Sequence, residues 1–111
     1  MTHNELSLVV KELVQRLINK EYEFIHHSGM SGEYTSKEIE ELINEYGGEL
    51  TVPLIEDYEG MDICEIDDEP EYVIEYDLWV DDEKSDLTLS ATIRIDEKGA
   101  TRITIDNIHV M

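Results

Sequence analysis

Carboxylates are the side chains of this sequence that could do chemistry, and most of them fall in one stretch. The chain has 28 acidic and 8 basic residues and a formal net charge of −20. Residues 56–86 hold 15 of the acids and a single base, Lys84. Two carboxylates can act as a general acid and base, or they can ligate a hard cation. Because carboxylates are so frequent here, a pair of them predicts neither kind of site.

Other signals of catalysis or metal binding are weak. The sequence lacks the P-loop, GxGxxG, GxSxG and HExxH patterns. His26 and His27 are adjacent, so on a helix their side chains point about 100° apart and rarely share one metal ion. Residues 81–86 look like a calcium loop, but Lys84 replaces an oxygen ligand and the central glycine is missing. We therefore predict no enzyme activity, no metal and no cofactor.

The absence of targeting signals and the single cysteine favour a location in the cytoplasm. No stretch approaches the roughly 20 apolar residues that cross a bilayer, and the N-terminus lacks the features of a signal peptide. The single cysteine, Cys64, excludes a disulfide within the chain. Because neighbouring acids disfavour its thiolate, we expect Cys64 to be a small core residue and not a nucleophile.

The elements that position these residues begin with two amphipathic helices. Residues 2–5 and 35–38 fit capping boxes. After each box, apolar residues recur every three or four positions, which predicts one apolar stripe on each helix. Residues 22–25 either extend the first helix or form a separate turn, and residues 47–48 supply the glycine that ends the second.

The second half of the chain changes to a period of two. Alternation over residues 71–80, 87–95 and 101–105 predicts three antiparallel strands with one apolar face. Residues 61–66 could add a fourth strand, and residues 96–99 form a turn between the last two. The apolar face needs a cover, and the helices are the only candidates.

The fold predicted from these elements is a single α+β domain over residues 1–111. Residues 1–50 form a helical half and residues 51–111 a sheet half. Two N-terminal helices pack on one face of a three- to four-stranded antiparallel sheet. A cystatin-like or NTF2-like cone has the same order of elements.

The acids lie on and around the first predicted strand. Acidic loops precede and follow it, at residues 67–70 and 81–86, about 30 Å apart for an extended chain. Its polar face could carry an acidic stripe that joins the loops. Trp79 points to the same face. It either anchors an interface or packs under a loop or the C-terminal tail. The predicted partner-binding residues are Asp67, Asp68, Glu69, Glu71, Glu75, Asp77, Trp79, Asp81, Asp82 and Glu83.

Crowding so many like charges costs folding free energy, and solubility alone needs a net charge of only about 2–8. We therefore predict a basic macromolecular partner; the alternative is a solvated acidic face in a salt-tolerant or acidic proteome. The same charge repels nucleic acid and anionic lipid, so direct binding to nucleic acid or membrane is not expected. The open sheet edges allow a dimer.

The sequences DLW at residues 77–79 and SDLTL at residues 85–89 resemble a block in a family of small uncharacterised bacterial domains. In size, acidity and layout the chain also resembles immunity proteins of bacterial toxin systems, such as contact-dependent growth inhibition. The second resemblance implies a protein that binds and neutralises a cognate basic toxin domain, often a nuclease, inside the producing cell.

Two other functions fit the composition. A nucleic-acid mimic, such as an anti-restriction or anti-defence inhibitor, would present evenly spaced carboxylates in place of phosphates, whereas an immunity protein would cluster them around a hydrophobic centre. A small NTF2-like ligand-binding domain or enzyme would need a concave apolar pocket with convergent polar groups. A filled interior would argue against the last.

Overall fold

A computed structural model describes residues 2–66 and 70–110 of the chain. In these residues the helices are α1 (His3–Ile18), α2 (Tyr22–His27), α3 (Ser36–Tyr46) and a 3₁₀ helix (Ile55–Gly60), and the strands are β1 (Asp62–Glu65), β2 (Glu71–Val80), β3 (Glu83–Ile95) and β4 (Thr101–Val110). The strands form one antiparallel sheet in the order β1-β2-β3-β4. The predicted α+β order of helices before sheet is confirmed. No described helix has the length and apolar character to cross a membrane.

Local hydrogen bonds explain where the helices begin and end. At α3 the capping box is complete, since the Thr35 hydroxyl accepts the Glu38 N–H and the Glu38 carboxylate accepts the Thr35 N–H. At α1 the Thr2 hydroxyl oxygen accepts the Glu5 N–H at 3.2 Å. Lys20 takes a positive φ of 60°, so the chain turns there and α2 is a separate helix.

The helices cover the face of the sheet that the alternation predicted to be apolar. Ile74, Leu89 and Ile93 lie fully buried at its centre. Where the C-terminal ends of α1 and α3 meet, beside Leu17 and Ile43, the cleft measures about 20 Å³ and has room for about one water molecule. The junction of these two helices is therefore filled. Larger open clefts, of about 560 and 410 Å³, lie along β4, beside α1 and beside α3.

The acidic loop predicted after the first strand is much shorter than expected. Only Asp81 and Asp82 form the turn, because Val80 already pairs with Glu83. Their φ values of 50° and 66° are those of a tight hairpin turn, a conformation that aspartate tolerates better than most residues. β3 therefore begins at Glu83, and the prediction that residues 83–86 belong to a loop was wrong.

A β-bulge is the reason that the alternation did not reveal the start of β3. The register between β2 and β3 shifts between the Asp77 and Trp79 pairings, which disrupts the period of two. The Ser85 hydroxyl stabilises this irregularity by donating to the Leu78 carbonyl and accepting the Leu87 N–H. Ser85 thus has the backbone-bonding role that a turn-setting serine would have.

The fourth strand suggested by residues 61–66 exists as β1, at the edge of the sheet. It pairs with the first half of β2. Cys64 lies opposite Val73 on this strand and is exposed, so the expectation of a core cysteine was wrong. An edge strand has a neighbour on one side only, which leaves this thiol in solvent.

Candidate protein-binding surface

The outer face of the sheet, away from the helices, carries the predicted acidic stripe. Glu71, Glu75, Asp77 and Trp79 share this face because they occupy alternate positions of β2 relative to the buried residues. Asp62 of β1 lies directly opposite Glu75. Like charges at opposed positions of antiparallel strands repel each other. The stripe therefore contains a cross-strand repulsion.

Two bases compensate the ends of the stripe. Arg94 of β3 lies opposite Glu71 and forms an ion pair with it. Lys84 lies opposite Trp79 at the other end, and its Nζ atom is 2.9 Å from Asp57 Oδ1. Lys84 also lines a cleft of about 200 Å³ together with Asp62, Glu75 and Asp77, but its ion pair is with Asp57.

The centre of the stripe keeps its negative charge. The Thr88 hydroxyl donates to Asp77 Oδ1 at 2.7 Å, which satisfies one oxygen but supplies no positive charge. The side chains of Asp62 and Glu75 make no hydrogen bond or ion pair with any residue that the structure describes. Within residues 2–66 and 70–110, no group of His, Cys, Asp and Glu side chains could hold a metal ion. A cationic partner would relieve the repulsion left here.

Hydrogen bonds tie the acidic turn to the loop that follows α3. The Asp81 N–H donates to the Glu49 carbonyl at 2.9 Å, and the Asp81 carboxylate accepts the Glu49 N–H at 3.1 Å. The Thr51 N–H donates to the Trp79 carbonyl, and the Thr51 hydroxyl accepts the Asp82 N–H. The loop thus runs along the part of β2 that β1 does not cover.

Four apolar residues follow Thr51 in the chain and connect this loop to the 3₁₀ helix. We call these residues, 52–55, the apolar segment. Val52, Leu54 and Ile55 are 62%, 60% and 76% exposed, whereas Pro53 is buried. The acidic turn lies on the upstream side of this segment, and the acid-rich 3₁₀ helix follows it in the chain. The acids therefore flank an exposed hydrophobic centre.

Asp57 holds the 3₁₀ helix against β2 and β3. Its Oδ2 atom accepts hydrogen bonds from the Tyr76 hydroxyl at 2.6 Å and from the Trp79 indole N–H at 2.9 Å, and its Oδ1 atom binds Lys84. The Tyr58 ring stacks on Tyr76 with 4.9 Å between ring centroids. Trp79 therefore packs against this helix, with its polar atom bonded inside the chain.

The ionisation of this cluster follows from its contacts. Burial alone would raise the pKa of the Asp57 carboxyl, but hydrogen bonds from Tyr76, Lys84 and Trp79 outweigh burial and lower that pKa. Burial, and then the Asp57 charge, raise the pKa of Tyr58 to about 12. Burial and the bond to Asp57 also raise the pKa of Tyr76. Asp57 is thus an anion and both phenols are neutral at physiological pH.

Gly48 allows the loop to approach the acidic turn closely. Its φ is +82°, and a Cβ atom there would lie 2.6 Å from Val80 Cγ1 and 2.7 Å from Asp81 Oδ2. We expect Gly48→Ala to lower the free energy of unfolding by about 2 kcal/mol, because the new methyl group adds a steric clash to the strain of a positive φ. Urea denaturation measures the loss.

Gly47→Ala is the matched control for this substitution. Gly47 also has a positive φ, of +89°, but no atom lies within 4 Å of the position of its Cβ. Its replacement should cost only the backbone strain, and so less than Gly48→Ala, which adds a steric clash. Equal losses for the two variants would mean that close approach of the loop to the turn does not matter.

Comparison with known proteins identifies a family without assigning a function. Residues 14–111 match the sequence profile of the family described as Domain of unknown function (DUF7668). The chain belongs to this family. No curated protein and no solved structure matches it. The matched region begins inside α1 and includes the whole sheet, the acidic turn and the apolar segment.

Sequence reasoning located only part of this surface. Of the predicted residues, the structure places Glu71, Glu75, Asp77 and Trp79 on the outer face, Asp81 and Asp82 in the turn, and Glu83 at the start of β3. Asp67, Asp68 and Glu69 lie outside the described residues. Asp57 and the apolar segment were missed, although an apolar run directly before several acids was a readable signal.

Proposed function

We propose that the chain is an immunity protein that binds and neutralises a cognate basic bacterial toxin domain, with a nuclease as the expected toxin activity. The observation that carries this proposal is the pair of opposed carboxylates, Asp62 and Glu75, neither of which forms an ion pair with a described residue. Lysine or arginine side chains of a partner would neutralise this repulsion. Complementary charge also speeds encounter and fixes the orientation of the complex.

The arrangement of the acids supports a protein partner over the alternative of nucleic-acid mimicry. A mimic needs carboxylates in the place of phosphates and gains nothing from an exposed apolar centre. Here the acidic turn and the 3₁₀ helix flank Val52, Leu54 and Ile55. Apolar anchors inside a charged rim are the usual anatomy of protein–protein interfaces.

The proposed function assigns a binding role and no catalytic step to the chain. It requires no cofactor. It also implies a location in the cytoplasm of the producing bacterium, since an immunity protein neutralises its toxin inside the cell that it protects. One copy for each toxin domain suffices for this role, although a dimer formed through a sheet edge is compatible with it.

Co-expression with the protein encoded by the gene immediately upstream tests the proposal. We expect that protein to be toxic alone, to lose its toxicity when this chain is present, and to elute with it as one complex in size-exclusion chromatography. An upstream product that is neither toxic alone nor bound by this chain would show the proposal to be wrong. Competition between this chain and DNA for a DNA-binding enzyme would instead support the mimic.

A further inference from the structure

We propose that the apolar segment anchors the complex, with Leu54 and Ile55 entering an apolar pocket on a basic protein. The acids around the segment would then contact lysine and arginine side chains at the rim of that pocket. This inference rests on the proposed function, because it names the part of the same surface that holds the partner.

The first support is that the exposed apolar side chains are contiguous. Single exposed apolar residues are common on protein surfaces and need no explanation. Leu8 on α1, at 67% exposed, and Val110 at the end of β4 are of this kind. In the apolar segment, by contrast, three of four successive residues expose most of their surface. Their burial is favourable only when another molecule covers them.

The second support is that both ends of the segment are fixed. Upstream, Thr51 is bonded to Trp79 and Asp82. Downstream, the Asp57 N–H donates to the Leu54 carbonyl at 3.0 Å, and the Asp57 carboxylate is held by three donors. A segment held in place loses little conformational entropy on binding, which favours affinity.

The charge around the segment determines the kind of partner. Glu56 and Glu59 of the 3₁₀ helix are exposed, and neither forms an ion pair with a described residue. The nearby base, Lys84, is already bound to Asp57. An anionic lipid surface or a second copy of this chain, with its net charge of −20, would be repelled. The occupant that fits is therefore a protein surface with positive charge around an apolar pocket.

Selection from a phage-displayed library of random peptides, at physiological salt, tests the anchor and does not require the toxin itself. We expect the selected peptides to combine large apolar residues with lysine or arginine. A synthetic peptide with the selected consensus should bind the Leu54→Ser and Ile55→Ser variants roughly tenfold more weakly than the parent chain. Because both side chains are exposed, the unfolding temperatures of the variants should be unchanged.

Leu8→Ser is the matched control, since it removes an equally exposed leucine from a different surface. It should leave the affinity of the peptide within about twofold of the parent value. Basic peptides that bind the Leu54 and Ile55 variants as tightly as the parent would overturn the anchor and leave the proposed function standing. Peptides without lysine or arginine that need Leu54 would overturn the basic partner and the proposed function. A library that yields no binding peptide would overturn the anchor.

Discussion

Asp57→Ala lowers the free energy of unfolding by about 3 kcal/mol, the largest loss that we expect from a polar substitution in this chain. The carboxylate accepts three hydrogen bonds, and its removal leaves the buried Tyr76 hydroxyl and the Trp79 indole N–H without their acceptor. Urea denaturation followed by the fluorescence of Trp79, the single tryptophan, measures the loss at the cluster itself.

Glu59→Ala provides the control on the same 3₁₀ helix. Glu59 is exposed, and its side chain makes no hydrogen bond with the described part of the chain. Its removal should change the free energy of unfolding by about 0.5 kcal/mol or less. A similar loss for Asp57→Ala and Glu59→Ala would mean that the three donors to Asp57 do not stabilise the helix.

The same cluster makes part of the stability depend on pH. Because folding lowers the pKa of Asp57, its contribution is fully present above the unfolded-state pKa near 3.8 and is lost as pH falls through the lower, folded-state pKa. We expect the stability difference between the parent chain and Asp57→Asn to shrink as pH falls below 3.8. Protonation of the other carboxylates relieves repulsion equally in both proteins, so this effect cancels in the stability difference. A difference that grows on acidification would contradict the lowered pKa.

Reversal of two exposed charges, Glu56 next to the apolar segment and Glu83 at the start of β3, with lysine at both positions slows association with the proposed toxin domain about 10- to 100-fold. Neither side chain makes a hydrogen bond or ion pair with a described residue, so the fold should not change. The association rate of the parent chain should be high at low salt and fall steeply as the salt concentration rises. The association rate of the variant should fall less steeply with salt. Stopped-flow mixing with the upstream protein over a range of salt concentrations measures both effects.

A second double variant has the same net charge but distant substitutions. This control carries Glu33→Lys and Glu97→Lys. Glu33 lies in the turn before α3, and Glu97 lies in the turn between β3 and β4. This variant should associate nearly as fast as the parent. Equal slowing by the two double variants would show that only the net charge matters, and the acidic surface would then not be a local binding site.

The fold class could be predicted because it depends on patterns between near neighbours in the chain. A helical repeat of apolar residues after each capping box, and a period of two in the second half, already require helices on one face of a sheet. β2 was predicted with the bounds that the structure has, and β1 was recognised as a further strand. The concentration of acid around β2 was equally a property of the sequence.

Tertiary structure alone decided which acids have partners and where the hydrophobic centre lies. Asp57 meets Tyr76, Trp79 and Lys84 only because the 3₁₀ helix packs beside β2 beyond the end of the short β1. The opposition of Asp62 and Glu75 likewise depends on the register of two strands. Hydrogen bonds and cross-strand contacts join residues distant in sequence, and local periodicity contains no information about which distant residues they join.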